Sequence, residues 1–194
     1  DLQYVGVIPI GGTNITNDLA IGLKTDPSIA EEVKLKHASA MPRGENSGIS
    51  VKDGEEILSF NSSDIDEIVD ARLEEIFDLV QHELKKAGRA GKLPSGVVLV
   101  GGAASMKHMT EYAKEKLGLA VRIGKPKGFG GVSDNVEQPE YAAVVGLMLI
   151  DTENGTNNRG NSRPSGRKMD SAAAKNSLKK ASGVLSNFLG RFKV

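Results

Sequence analysis

Gly96-Val97-Val98-Leu99-Val100-Gly101-Gly102-Ala103-Ala104 runs from an unbroken apolar stretch into a double glycine. Helical spacing follows at Met106, Met109, Tyr112, Ala113 and Leu117. Four apolar residues without polar alternation predict a buried strand, and the 3–4 spacing predicts the helix behind it. A strand, two glycines and a helix make a turn with a chemical use. Glycine lets the backbone approach a ligand closely, and a helix N-terminus offers unpaired N–H groups and a positive dipole end. The same turn also occurs for packing alone.

A second copy of the pattern lies upstream. Tyr4 to Ile10 is β-branched and apolar and predicts a strand. Gly11-Gly12-Thr13-Asn14 follows, and a helix is expected from Asn17 to Lys24. The next helix spans Ile29 to His37, with Asp26 as its cap and Pro27 at its first position. Its Glu31 and Lys34 are three apart and share one face. An acceptor and a cation so placed suit the ribose and ring edge of an adenosine; equally, they make an ordinary surface ion pair. Gly48 to Val51 and Glu56 to Phe60 predict a hairpin around Asp53-Gly54. Ser62-Ser63-Asp64 then caps a long helix with Ile65, Ile68, Val69, Ile76, Phe77, Val80 and Leu84 at helical spacing, ending near Gly88. Beyond the central stretch come a short strand, Ala120 to Ile123, a Gly-rich loop, Pro126 to Gly131, and a helix from Pro139 to about Ile150. Alternating strands and helices predict an α/β domain with a partly parallel sheet.

Composition divides the chain. Apolar residues make up 39% of the 194, low for a chain folded throughout, and the polar excess is concentrated after Asp151. Thr152 to Lys175 is Asn, Gly, Ser and Arg without apolar periodicity and is read as a flexible linker. Charge divides the same way. Residues 1–158 hold 16 Lys and Arg against 24 Asp and Glu, while residues 159–194 hold nine against the single Asp170. A basic tail on an acidic body points to a polyanion for the tail. The chain has no cysteine, so disulfides and thiolate metal sites are excluded. No apolar run reaches the ~18–20 residues that cross a bilayer. The chain starts at Asp1 without an initiator methionine, which suggests a fragment.

The tail regains periodicity. Leu178, Ala181, Leu185, Phe188, Leu189 and Phe192 form a helical stripe, flanked by Lys179, Lys180, Arg191 and Lys193. A helix basic on one side and Leu/Phe-rich on the other, behind a linker, suits the membrane interface and anionic lipid. A protein partner is the alternative. Nucleic acid is disfavoured, since large apolar residues dominate one face and the body is acidic.

Six stretches taken in order carry a family resemblance: VIPIGGTNITNDLAIGLKT, AEEVKLKHASA, VDARLEEIFDLV, VVLVGGAA, VRIGKPKGFGGVSD and PEYAAVVGLMLI. Together they resemble the second large domain, subdomains 2A and 2B, of the actin and Hsp70-like ATPases, and specifically the C-terminal part of the FtsA family of bacterial cell-division proteins. The resemblance covers about residues 1–151, with a 2B-like small subdomain at about 20–95 inserted in a 2A-like remainder. It implies that Gly11, Gly12, Thr13 and Asn14 lie near the phosphates of ATP with Mg²⁺. Glu31 and Lys34 contact the adenosine, and Gly101, Gly102, Ala103 and Ala104 form the adenosine-side loop. It further implies that the small subdomain takes the C-terminal peptide of FtsZ, with Arg72 facing it. The bland alternative for Arg72 is an ion pair within its own helix, with the turn of Asp70 or with Glu75. By the same resemblance residues 152–175 are a linker and 176–194 a membrane-targeting helix.

The implied function is a membrane adaptor that assembles into actin-like filaments and tethers FtsZ at the division site, on the cytoplasmic face of the membrane, among other divisome proteins. The first phosphate-loop domain of the family has no counterpart in this sequence. The chain alone is therefore expected to bind ATP weakly at most and to catalyse nothing; a weak ATPase is the most expected of a longer protein. Alternatives are an actin-like protein of type IV pilus assembly and a sugar-kinase or chaperone ATPase, neither of which uses a lipid-binding tail. His37, His82 and His108 lack metal-ligand spacing, and Ser105 is outside any nucleophile-elbow pattern. No catalytic or metal-binding residue is expected.

Overall fold

The computed structural model describes residues 2–127 and 136–158. The chain divides into two units, Asp1–Ile150 and Asp151–Val194. Most of the second unit, including all of 176–194, lies outside the described residues, as does most of the Gly-rich loop after Pro126.

Helices α1 (Gly12–Leu23), α2 (Pro27–His37) and α3 (Ser62–Lys86) form the larger part of the core. α1 buries Ile15, Thr16 and Leu19, and α2 buries Ile29, Ala30 and Val33. α3 buries Ile65, Asp66, Val69, Leu73 and Phe77, a stripe at the helical spacing. α1 packs against both α2 and α3. Strands β1 (Gly48–Asp53) and β2 (Glu56–Asn61) pair antiparallel about the Gly54-Glu55 turn, with Ile49 opposite Phe60 and Val51 opposite Leu58. β1 turns Ile49 and Val51 into the core. Strands β3 (Val97–Leu99) and β4 (Val121–Ile123) pair parallel, joined through a 3₁₀ turn (Gly102–Ser105) and helix α4 (Met109–Leu117). α4 adds Met109, Tyr112, Ala113 and Leu117 to the same core, where Tyr112 meets Phe77 edge to face at 5.5 Å. α5 (Ala142–Asn158) follows a 3₁₀ turn at Pro139–Tyr141.

Several expectations are corrected. Tyr4 to Ile10 forms no strand, and Val5 and Val7 are exposed. Apolar, β-branched sequence favours a strand, but a ladder needs a neighbour, and none of the described residues pairs with it. α1 starts at Gly12, five residues before Asn17, because Asn14 and Gly11 already close the first turn. Ser62 is not the cap of α3. Asn61 holds that position, and Ser62 is fully buried, its hydroxyl accepting from the Ser47 N–H at 2.8 Å. The stretch around β3 is only half buried, with Val98 and Val100 exposed, since the sheet has two strands among the described residues. Its double glycine leads into the 3₁₀ turn, and α-helical geometry resumes only at Met109. α5 continues to Asn158, past Ile150 where the helix was expected to end.

Candidate functional site

The two glycine turns meet. Gly11 and Asn14 bond reciprocally: the Gly11 N–H donates to Asn14 Oδ1 at 2.9 Å, and the Asn14 N–H to the Gly11 carbonyl at 3.0 Å. This fixes the first turn of α1 without a charged cap. A Cβ placed on Gly12 would stand 3.1 Å from the Cβ of Ala103, so the turns are in van der Waals contact. Gly11, Gly12, Ala103 and Ala104 line one cavity of about 160 Å³ with Ile15, Leu99 and Val100. Gly101 adopts φ 97°, a conformation that disfavours side chains, and its N–H donates to the Pro139 carbonyl at 2.8 Å. Gly102 is exposed beside it, and Thr13 is exposed on the first turn of α1.

Glu31 and Lys34 reach the same turn. Lys34 Nζ donates to Glu31 Oε2 at 2.6 Å, to Thr16 Oγ1 at 2.8 Å and to the Gly12 carbonyl at 3.2 Å. The Thr16 hydroxyl donates in turn to Glu31 Oε2. The Lys34 side chain is 11% exposed and that of Glu31 43%. They are no mere surface pair; they tie α2 to the N-terminal turn of α1. Burial pushes the Glu31 carboxyl up, but the hydrogen bonds from Lys34 and Thr16 outweigh it and hold the group below its ordinary range. Gly11, Gly12, Asn14, Glu31, Lys34, Ala103 and Ala104 therefore form one neighbourhood. Thr16, at its centre and 6% exposed, was missed by sequence reasoning. Its signal is position alone, four residues after Gly12 and so on the same helix face.

Arg72 lies on the other flank of α1. Its guanidinium forks onto Asp18, with Nη2 to Oδ1 at 2.8 Å and Nε to Oδ2, and Nη1 donates to Glu75. The intrahelical pair with Glu75, one of the alternatives read from the sequence, is present, and the cross-helix pair with Asp18 was not foreseen. Arg72, Asp18 and Glu75 line a groove of about 360 Å³ with Ile21, Gly22, Ile68 and Ala71. Ile21 is 77% exposed there. Groups of three or more His, Asp or Glu able to hold a metal are absent among the described residues. No helix among them is long and apolar enough to cross a membrane. The expected membrane residues Leu178, Lys179, Lys180, Leu185, Phe188, Leu189, Arg191 and Phe192 lie outside the described residues.

Known proteins resemble this chain in sequence and in fold. The family model described as cell division protein FtsA matches residues 1–146. The FtsA of Pseudomonas aeruginosa is 34% identical over 152 residues, 76% of this chain and 36% of that protein. The FtsA of Neisseria meningitidis is 36% identical over 152 residues, and that of Escherichia coli K12 30% over 167. The chain thus spans well under half the length of these relatives. Among solved structures, MreB5 of Spiroplasma citri bound to ADP superposes with a TM-score of 0.60 at 16% identity, covering 80% of this chain and 48% of that one. Its AMPPNP-bound form gives 0.59 at 14% identity. The fold is thus the mixed α/β fold of the actin-like MreB proteins, and the chain belongs to the FtsA family of cell division proteins.

Proposed function

We propose that this chain supplies the C-terminal part of an ATP-binding, actin-like adaptor that tethers FtsZ filaments to the cytoplasmic membrane at the division site. The observation that carries the reading is the double duty of α1. Its first turn gathers the two glycine turns and the Glu31–Lys34 pair, while its outer flank builds the Arg72 groove with α3. Nucleotide bound at the first turn and peptide bound at the groove would then act on one helix.

The residues fit a nucleotide in kind. Gly11 leaves backbone open to phosphate, Glu31 offers an acceptor for a sugar hydroxyl, and Lys34 offers a cation. The MreB5 structures, one with ADP and one with AMPPNP, support a nucleotide-binding reading of the fold. Mg²⁺, when bound, would neutralise phosphate charge. The chain's own residues orient the nucleoside and carry no chemical step. The groove offers one guanidinium and an apolar floor to the C-terminal peptide of FtsZ, a charge-assisted contact. The tail binds anionic lipid through its apolar stripe and flanking cations. Self-assembly into actin-like filaments multiplies weak tails into firm attachment, and other divisome proteins join at the same place.

Vesicle flotation with FtsZ tests the adaptor. The chain is expected to carry FtsZ filaments up with anionic vesicles. Phe188→Glu should leave both behind, and Arg72→Glu should leave FtsZ alone behind. Equal flotation of FtsZ with Arg72→Glu would contradict the reading.

A further inference from the structure

We propose that Asp18 is a built-in competitor for the Arg72 groove: it occupies the guanidinium in the free protein, and a docked peptide's carboxylate must take its place. The inference rests on the reading of this groove as the FtsZ-peptide site. Asp18 sits on α1 and Arg72 on α3, 54 residues apart, and the forked pair they make is part of the groove's lining. Two-point carboxylate pairing is the geometry a guanidinium would offer an incoming acidic side chain. The partner end of the pair is thus already filled by the protein's own carboxylate.

The charges around the groove sharpen the point. Asp18 and Glu75 both face Arg72, so the lining carries one excess negative charge. A peptide carboxylate approaching Arg72 loses energy to both acids unless one yields. Glu75 is on the same helix as Arg72, three residues on, and its side chain is 53% exposed; it gives way to water easily. Asp18 is 26% exposed and bound at two points, so it sets the threshold. The apolar part of the groove, Ile21, Ile68 and Ala71, is unaffected by this exchange and supplies anchorage for apolar side chains. The occupant is accordingly a short peptide with apolar anchors and one acidic side chain at Arg72. Its affinity is set lower than the groove alone would allow, which keeps the contact exchangeable and dependent on many copies.

The test uses the 194-residue chain and a fluorescein-labelled synthetic C-terminal peptide of FtsZ, read by anisotropy at low and high salt. Asp18→Asn preserves shape and an acceptor oxygen and is expected to bind about five-fold tighter at low salt, the gain shrinking as salt rises. Glu75→Gln, which leaves the α1–α3 pair in place, should gain about two-fold. A peptide with its acidic residues replaced by their amides should bind parent and Asp18→Asn alike. If the parent binds and Arg72→Gln loses binding, yet Asp18→Asn is no tighter, the competition is wrong while the groove reading stands. If Asp18→Asn binds more weakly with an unchanged melting curve, Asp18 contacts a basic residue of the peptide instead, and the proposal is overturned. If the parent fails to bind, or Arg72→Gln binds as well as the parent, the groove reading fails and the inference with it.

Discussion

Replacing Lys34 by methionine should loosen the fold at its proposed nucleotide turn. The side chain is 11% exposed, and its ammonium donates to Glu31 at 2.6 Å, Thr16 at 2.8 Å and the Gly12 carbonyl at 3.2 Å. Methionine keeps the apolar stem and removes all three donors. A hydrogen bond to a charged group contributes about 1.5–3 kcal/mol, a neutral one about 1 kcal/mol. Glu31 is 43% exposed and recovers much of its loss from water, which discounts its share. Thr16 is buried and still has Glu31 as acceptor. The net cost should be about 1–2 kcal/mol. With a urea slope of about 2 kcal/mol per M, the unfolding midpoint should fall by about 0.5–1 M. Circular dichroism at neutral pH reads it directly. The Glu31 carboxyl is held below its ordinary range, so its stabilisation is complete above the unfolded value of about 4.3. It is lost as pH falls through the lower folded value, and the gap between parent and variant should narrow there. An unchanged midpoint at neutral pH, or a gap that widens on acidification, would refute the network.

Other perturbations are equally direct. A peptide of residues 174–194 should be disordered in buffer and gain helicity on anionic vesicles, with Phe188→Glu or Phe192→Glu abolishing the gain; no dichroism change with vesicles would shift the tail to a protein-docking role. Gly96→Ala should cost well over about 2 kcal/mol, since Gly96 has φ 71° and an added Cβ would stand 2.2 Å from the Ala120 backbone oxygen, so β3 and β4 must part. A thermal melt indistinguishable from the parent would contradict that close approach.

What the sequence reveals here tracks how local the cause is. The α3 stripe of Ile65, Val69 and Phe77 was legible because each contact face repeats within one helix, and Leu73 falls on the same stripe. The Pro27 start of α2 was legible because proline fits the first helical position. Tyr4 to Ile10 misled because strand-forming residues announce a need for pairing and say nothing of whether a neighbour exists. Glu31 and Lys34 were found as a pair by their spacing. That the pair closes onto Gly12 through Thr16 depends on how α2 packs on α1, which no spacing encodes. The Asp18–Arg72 fork joins residues 54 apart and was invisible for the same reason. The order of six short motifs, by contrast, carried the family without any of this geometry.

The central claim is that the α1 turn is half of a nucleotide site. Isothermal calorimetry with ATP and Mg²⁺ tests it most directly, on the chain alone and joined behind the N-terminal half of the Pseudomonas aeruginosa relative. Weak or no binding is expected from the chain alone and clear binding from the joined protein, lowered by Glu31→Ala and by Lys34→Ala. Tight binding by the chain alone, or joined-protein affinity unchanged in both variants, would contradict it.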